Sequence, residues 1–394
     1  MFIPGRIEFL GKHTDYCGGS SIVCAIDRGF HTSFESRSDS QVVLENNDSG
    51  ENASFVLGTD IDLPTAHWVR YAAEVGRRLT LNFRGRPLSG ASIRFHSDLP
   101  MAAGLSSSSA LIIMVFTALK FVNHLGDTAE FRQNINGSLD LAAYLGCIEN
   151  GQNFCTLAGS AGVGTFGGSQ DHAAILLGRS SHLSKFSYSP MKRDADFLVP
   201  EDLAFVVASS GVTAEKTGAA RDSYNRVSRM VREMVDAAGC AETLAQTLAE
   251  LGIEEMRTII RNGKFSFPAD QMLDRVEQFR VESFEIIPAV SELLAVGKFR
   301  QIGDLVDRSQ QNAEQFLGNQ IGETIFLQRH AREMGAVAAS AFGAGFGGSV
   351  YALVETGDAQ KFASGWKKEY AKKFPQHCGT SEFFVTRPSQ CDLV

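Results

Sequence analysis

Pro100-Met-Ala-Ala-Gly104-Leu105-Ser106-Ser107-Ser108-Ser109-Ala110-Leu111 is the stretch from which the architecture can be read. Into it runs Ala91-Ser-Ile93-Arg-Phe95-His-Ser97, alternating as a half-buried strand does. Out of it runs an apolar segment, Ala110 to Val122, with the look of a buried helix. Strand, glycine turn and helix start together make an anion-binding geometry. The first turn of a helix has unpaired N–H groups and the positive end of the dipole, and small residues let a phosphate approach them. The plain alternative is a serine N-cap on a core helix, but one serine suffices for a cap and this loop has four. A Walker A loop is excluded, because none of Gly11-Lys12, Gly263-Lys264 and Gly297-Lys298 is followed by Ser or Thr.

The totals fit an ordinary globule of two domains: 394 residues, 44% hydrophobic and 21% charged. A net charge of −8 with no basic run argues against nucleic acid as a partner. Seven scattered cysteines without a Cys-x-x-Cys pair fit reduced thiols, and nine histidines show no metal spacing. No apolar run is long enough to span a membrane and Met1-Phe-Ile-Pro4 is no signal peptide, so a cytoplasmic location and no membrane partner are expected.

The first thirty residues hold a second dense cluster, Pro4-Gly-Arg6-Ile-Glu8-Phe-Leu-Gly11-Lys12-His13-Thr-Asp15-Tyr16-Cys-Gly18-Gly19, ahead of an apolar strand from Ile22 to Ile26. So many turn formers among an Arg, a His and an Asp read as a functional loop. Taken singly, Asp15 fits an Asx turn and His13 a core histidine. Beyond the serine loop, Leu141, Leu145 and Ile148 mark the buried stripe of a helix, and Glu149 follows Leu145 by four on the same face. A carboxylate there needs a cation or donors.

These segments resemble the galactokinase branch of the GHMP small-molecule kinases. The first cluster is similar to that family's Gly-Arg-x-Asn…Gly-Glu-His-Thr-Asp-Tyr-Asn-Gly-Gly sugar-binding signature, and Pro100…Gly104-Leu105-Ser106-Ser107-Ser108 to its phosphate loop. Gly343-Ala-Gly345-Phe-Gly347-Gly348-Ser349 is similar to its third motif, a glycine loop over the phosphates. The chain departs from the signature twice, with Lys12 where Glu is usual and Glu8 where Asn is usual. An acceptor has become an ammonium, which can only donate. The resemblance also implies a lead-in strand ahead of the motif, where three residues precede Pro4. Either the start is set late or this subfamily dispenses with that strand.

What the resemblance implies is specific. Asp171, in Gly167-Gly168-Ser-Gln-Asp171-His172, falls on the family's catalytic aspartate, with Arg6 as the cation beside it. Lys12, His13, Asp15 and Tyr224 fall on or beside sugar-binding positions. ATP would be held by Gly104, Leu105, Ser106, Ser107, Ser108, Ser109, Gly345 and Gly347, and Mg²⁺ by Ser108 and Glu149. About ten extra residues, within 155–168, separate Glu149 from Asp171, and His172 replaces a Gln. The implied fold is α+β: a mixed-sheet N-terminal domain over 1–200 and a ferredoxin-like C-terminal domain over 201–394, with the active site in their cleft. The implied function is ATP-dependent phosphorylation of the anomeric hydroxyl of a small-molecule sugar, galactose first, by a monomer. The alternatives are another sugar or a uronic acid paired by Lys12, or a non-catalytic sugar sensor.

For the remaining elements, the patterns predict strands at Gln41–Glu45, Ala53–Leu57, Ala173–Leu177, Ala204–Ala208, Val350–Val354 and Glu382–Thr386. Helices are predicted over 66–80, 219–238, 241–261, 270–286, 289–297, 299–316, 321–340 and from 358. Gly162-x-Gly164-x-x-Gly167 and the loop at 343 both match a dinucleotide fingerprint. Both are rejected, the first because a strand is predicted after it and the second because a helix precedes and a strand follows.

Overall fold

The computed structural model describes residues 1–61, 68–85, 87–214 and 221–393. One long strand, β2 (Ser20–Ser36), organises the larger sheet. Along its first half it pairs antiparallel with β1 (Phe2–Leu10), with Arg6 opposite Ala25. Its second half pairs with β5 (Ala91–Ser97), which lies parallel to β3 (Gln41–Asn46), itself in a hairpin with β4 (Asn52–Val56). Next to the start of β2 lies β6 (His182–Tyr188), paired in turn with β7 (Met191–Leu198). The helices of this half are α1 (Val69–Asn82), α2 (Ser107–Val122), α3 (Ala129–Asn134), α4 (Ser138–Asn150) and α5 (Gln170–Leu177), and α2 and α5 lie against β1 and β2.

The second sheet is antiparallel, in the order β11 (Glu382–Thr386), β8 (Leu203–Ser209), β10 (Ser349–Glu355), β9 (Ala338–Phe342). One face is covered by α11 (Gly322–Glu333) and α12 (Ala359–Lys373), around a core holding Trp366 and Leu327. The other face meets β1: the Phe9 ring stacks on Tyr351 at 5.1 Å, and Tyr351 Oη donates to the Phe9 carbonyl at 2.8 Å. β1 is thus the seam between the two sheets. Between β8 and β9 run α6 (Arg221–Ala238), α7 (Leu244–Asn262), α8 (Ala269–Val281), α9 (Ile287–Ala295) and α10 (Gly303–Asn312). The boundary expected at 200 falls between β7 and β8, while the short β12 (Pro388–Ser389) returns to pair with β2. The helix expected from 66 and the segment opening α6 lie partly outside the described residues.

Three elements differ from the sequence patterns, and each has a physical reason. Residues 2–10 form a strand rather than a loop: Ile3, Ile7 and Phe9 are fully buried, and the Pro-Gly pair is absorbed by a bulge between Pro4 and Arg6. Ala173–Leu177, expected as a strand, belongs to α5. Five apolar residues fit either a buried strand or a buried helix, and here Ala and Leu take the helix that their propensities favour. Ala338–Ser340, expected as the end of a helix, opens the edge strand β9, because Gly335 (φ +94°) ends the preceding helix. That alanine-rich strand is held from its open side by side chains: Gln310 Oε1 accepts from Ala341 N–H, and Gln328 Nε2 donates to the Ala339 carbonyl.

These corrections touch the two glycine fingerprints. A helix does follow Gly162–Gly167, so that ground for rejecting the first does not hold. The rejection stands on what precedes it, which is α4 and irregular chain rather than a strand. The second lies between two strands, β9 and β10.

Candidate active site

Arg6 and Glu8, two residues apart on β1, share a face and point toward the start of α5. Arg6 Nε donates to Asp171 Oδ1 at 2.7 Å, and Gln170 Nε2 donates to Glu8 Oε2 at 2.7 Å. Alternate residues of β1 and adjacent residues of α5 therefore make two rungs. Arg6 also donates through Nη1 to the Gly104 carbonyl at 2.6 Å, which ties the serine loop to the same point. Burial alone would disfavour the charged guanidinium, but Asp171 and Glu8 outweigh it, so the Arg6 pKa is raised. Burial pushes the Glu8 carboxyl up to about 7, against the pull of Arg6 and Lys12.

Around these rungs lies a solvent-open cleft with about 430 Å³ of empty space. His13, Asp15, Tyr16, Glu149 and Tyr224 line it with Arg6, Glu8, Gln170 and Asp171. His13 adopts φ +56°, which brings Nδ1 within 2.9 Å of Tyr16 Oη and Nε2 within 3.2 Å of the Ala344 carbonyl. Asp15 Oδ2 accepts from Gln170 N–H at 3.2 Å. The Tyr224 ring lies 5.4 Å from that of His13. Gly168 allows the extra segment to pass this closely, since a Cβ on it would stand 2.4 Å from Asp15 Oδ2. Asn225 holds the same segment, donating to the Gly164 carbonyl at 2.8 Å and accepting from Phe166 N–H at 3.0 Å.

The serine loop enters α2 through Gly104 (φ +75°) and Ser106 (φ +63°), and Ser106 Oγ is buried with no hydrogen-bond partner among the described residues. Its neighbour across the cleft is the 343–348 loop: Ser349 Oγ donates to the Ala103 carbonyl at 2.7 Å. Of that loop, Gly343 and Ala344 reach the cleft. Gly345 and Gly347 instead let the chain fold against Asn319 and Val212, where a Cβ would stand 2.4 and 2.7 Å from their carbonyl oxygens. The hydroxyl that reaches Glu149 is that of Ser109, donating to Oε2 at 3.1 Å, and not that of Ser108. His172 Nε2 lies 3.7 Å from the same oxygen.

Residues 2–35 match the galactokinase galactose-binding signature, 67–179 the N-terminal domain of GHMP kinases and 287–372 their C-terminal domain. A galactokinase of Thermococcus kodakarensis is 28% identical over 395 aligned residues, covering 100% of this chain and 99% of that one. The chain belongs to the galactokinase branch of the GHMP kinases. Other GHMP kinases share its fold. The crystal structure of Lactococcus lactis galactokinase complexed with galactose superposes with TM-score 0.77 at 21% identity, covering 99% of this chain and 93% of that one. Methanococcus jannaschii mevalonate kinase superposes with TM-score 0.59 at 14% identity, covering 99% and 98%.

Against the galactokinase-branch signature, the expectation for Lys12 fails. Lys12 is absent from the cleft lining and is 1% exposed. Its Nζ donates to Ser340 Oγ at 2.7 Å and lies 3.5 Å from Ser309 Oγ. Ser309 in turn donates to Glu282 Oε1, which also accepts from Gly11 N–H, both at 2.9 Å. Burial pulls the Lys12 pKa down, against Glu282, Glu8 and Glu314. The residue at the cleft is the other departure from the signature, Glu8. The motif readings also passed over Tyr16, Gln170, Gly343 and Ala344. Gln170, next to Asp171, was findable only once α5 was known to be a helix starting there.

Proposed function

We propose that this chain is an ATP-dependent sugar 1-kinase and that galactose is its sugar. The observation that carries the reading is the Arg6–Asp171 pair, set in a cleft that the sugar signature, the serine loop and the glycine loop all border. Phosphoryl transfer asks for positioning and for charge to offset that of the transferring group. Arg6 supplies a buried, permanent cation, while Asp171 orients the attacking hydroxyl and accepts its proton on the carboxylate as the new bond to phosphorus forms. His13, Asp15 and Tyr224 supply donors and acceptors for the other sugar hydroxyls. The Ser106 hydroxyl, which has no hydrogen-bond partner among the described residues, and the first turn of α2 suit the phosphates of ATP.

Mg²⁺ fits the oxygen donors beside them. Glu149 offers a carboxylate at the edge of the cleft, with Ser108 and Ser109 on the first turn of α2, and when bound the ion would offset phosphate charge. Among the described residues no cluster of three or more His, Cys, Asp and Glu side chains could hold a metal by itself, which suits an ion whose shell is completed by phosphates. The reading includes a cytoplasmic enzyme, supported by seven free cysteines. It includes a monomer.

The sensor alternative is disfavoured by the Arg6–Asp171 pair and Glu149. The uronic acid alternative loses its support with Lys12 turned away. The experiment is ADP release with ATP and Mg²⁺ against galactose, galactosamine, arabinose, glucose and galacturonate. Turnover with galactose is expected; binding of sugar and ATP without turnover by any sugar would favour the sensor.

A further inference from the structure

Glu8 stands where the family signature has Asn, and its two carboxylate oxygens are in different situations. One carboxylate oxygen, Oε2, is taken by Gln170. The other, Oε1, is buried and has no hydrogen-bond partner among the described residues. The residue is 5% exposed and lines the cleft. An unpaired buried carboxylate oxygen is costly, so a ligand that brings a donor to it gains more than the same donor would gain in water.

The charges around the cleft decide which donors are welcome. Four carboxylates line it, Glu8, Asp15, Glu149 and Asp171, and Arg6 is the one Lys or Arg side chain among the described residues that does. Arg6 is already committed to Asp171 and to the Gly104 carbonyl. Lys12 is committed to Ser340 beneath the loop. A carboxylated sugar would therefore meet an excess of carboxylates over cations at the cleft surface, and a hydroxyl or an ammonium would meet an acceptor.

We propose that Glu8 is a sugar-selecting residue of this kinase: its Oε1 accepts a hydrogen bond from a hydroxyl or ammonium of the sugar, so the cleft takes neutral and amino sugars and turns uronic acids away. The proposal rests on the sugar-kinase reading. Had Glu8 no task but to hold Gln170, an amide would serve as well, because its carbonyl can accept the same bond while its NH2 would stand where the unpaired oxygen is.

The test measures kcat and KM for galactose, galactosamine and galacturonate in the natural protein, Glu8→Gln and Glu8→Asp. Glu8→Gln is expected to lower kcat/KM for the preferred sugar roughly 10- to 100-fold, mostly through KM. It should also raise the galacturonate-to-galactose ratio of kcat/KM at least about tenfold. Galactosamine losing more than galactose would identify the donor as an ammonium, and the reverse as a hydroxyl. Glu8→Asp keeps the charge but withdraws the oxygen, so KM should rise while galacturonate stays excluded. It also carries the test if the amide variant does not fold. Turnover by the natural protein with unchanged sugar ratios in Glu8→Gln, or an unchanged KM in Glu8→Asp, would overturn this proposal alone. No turnover of any sugar by the natural protein would overturn the kinase reading and this proposal with it.

Discussion

Arg6 Nε lies 2.7 Å from Asp171 Oδ1, and the same guanidinium holds the Gly104 carbonyl. One side chain thus ties β1 to the first turn of α5 and to the serine loop. Asp171→Asn should lower kcat on the order of 10²- to 10⁴-fold with ATP affinity retained. Arg6→Lys, which cannot reproduce the planar fork, should also lower kcat. Initial rates with a separate nucleotide titration check both, and near-normal turnover in Asp171→Asn would remove that residue from the chemistry.

Lys12→Met removes a buried ammonium held by Ser340 and should destabilise the fold by about 1–3 kcal/mol. Relative kcat/KM among sugars should stay as in the natural protein, because Lys12 is outside the cleft. Urea unfolding and the sugar panel read the two effects separately. A changed sugar preference would return Lys12 to the site.

Glu8 also predicts a pH dependence of stability. Its folded pKa of about 7 lies above the ordinary glutamate value, so its favourable contribution is present below pH ~4.5 and is lost as pH rises toward 7. Glu8→Gln has no such titration. The melting temperature of the variant should therefore gain on that of the natural protein between about pH 4.5 and 7 and then stay level. A constant difference across that window would show that Glu8 titrates normally.

How far the sequence could be read follows from which interactions are local. The serine loop, the helix carrying Glu149, the strand at 204–208 and the glycine loop were legible because each is marked by residues adjacent in the chain. β1 was hidden because its burial comes from Phe9 meeting Tyr351, 342 positions away. β9 was hidden because Gln310 and Gln328 supply from other elements what an alanine-rich edge strand lacks. In the site, motif matching named Arg6, His13, Asp15, Glu149, Asp171 and Tyr224, which the fold brings to one cleft. It misassigned Lys12, whose direction is set by Ser340 and Ser309, and it passed over Gln170, whose partner Glu8 is 162 positions away.

Asn225→Ala should loosen the segment that brings Gly167 and Gly168 to the cleft, since it breaks the bonds to Gly164 and Phe166. A loss of about 1–3 kcal/mol in stability is expected, with KM for the sugar raised more than kcat is lowered. Thermal unfolding and steady-state kinetics check it, and an unchanged KM would mean that this wall does not shape the sugar site.

The most direct test of the central claim is the position of the new phosphate. Incubated with galactose, ATP and Mg²⁺, the protein should yield ADP and one sugar phosphate whose anomeric carbon and proton show coupling to phosphorus by NMR. A phosphate on any other carbon, or ADP formed at the same rate without sugar, would contradict the assignment of Asp171 and Arg6 to anomeric phosphorylation.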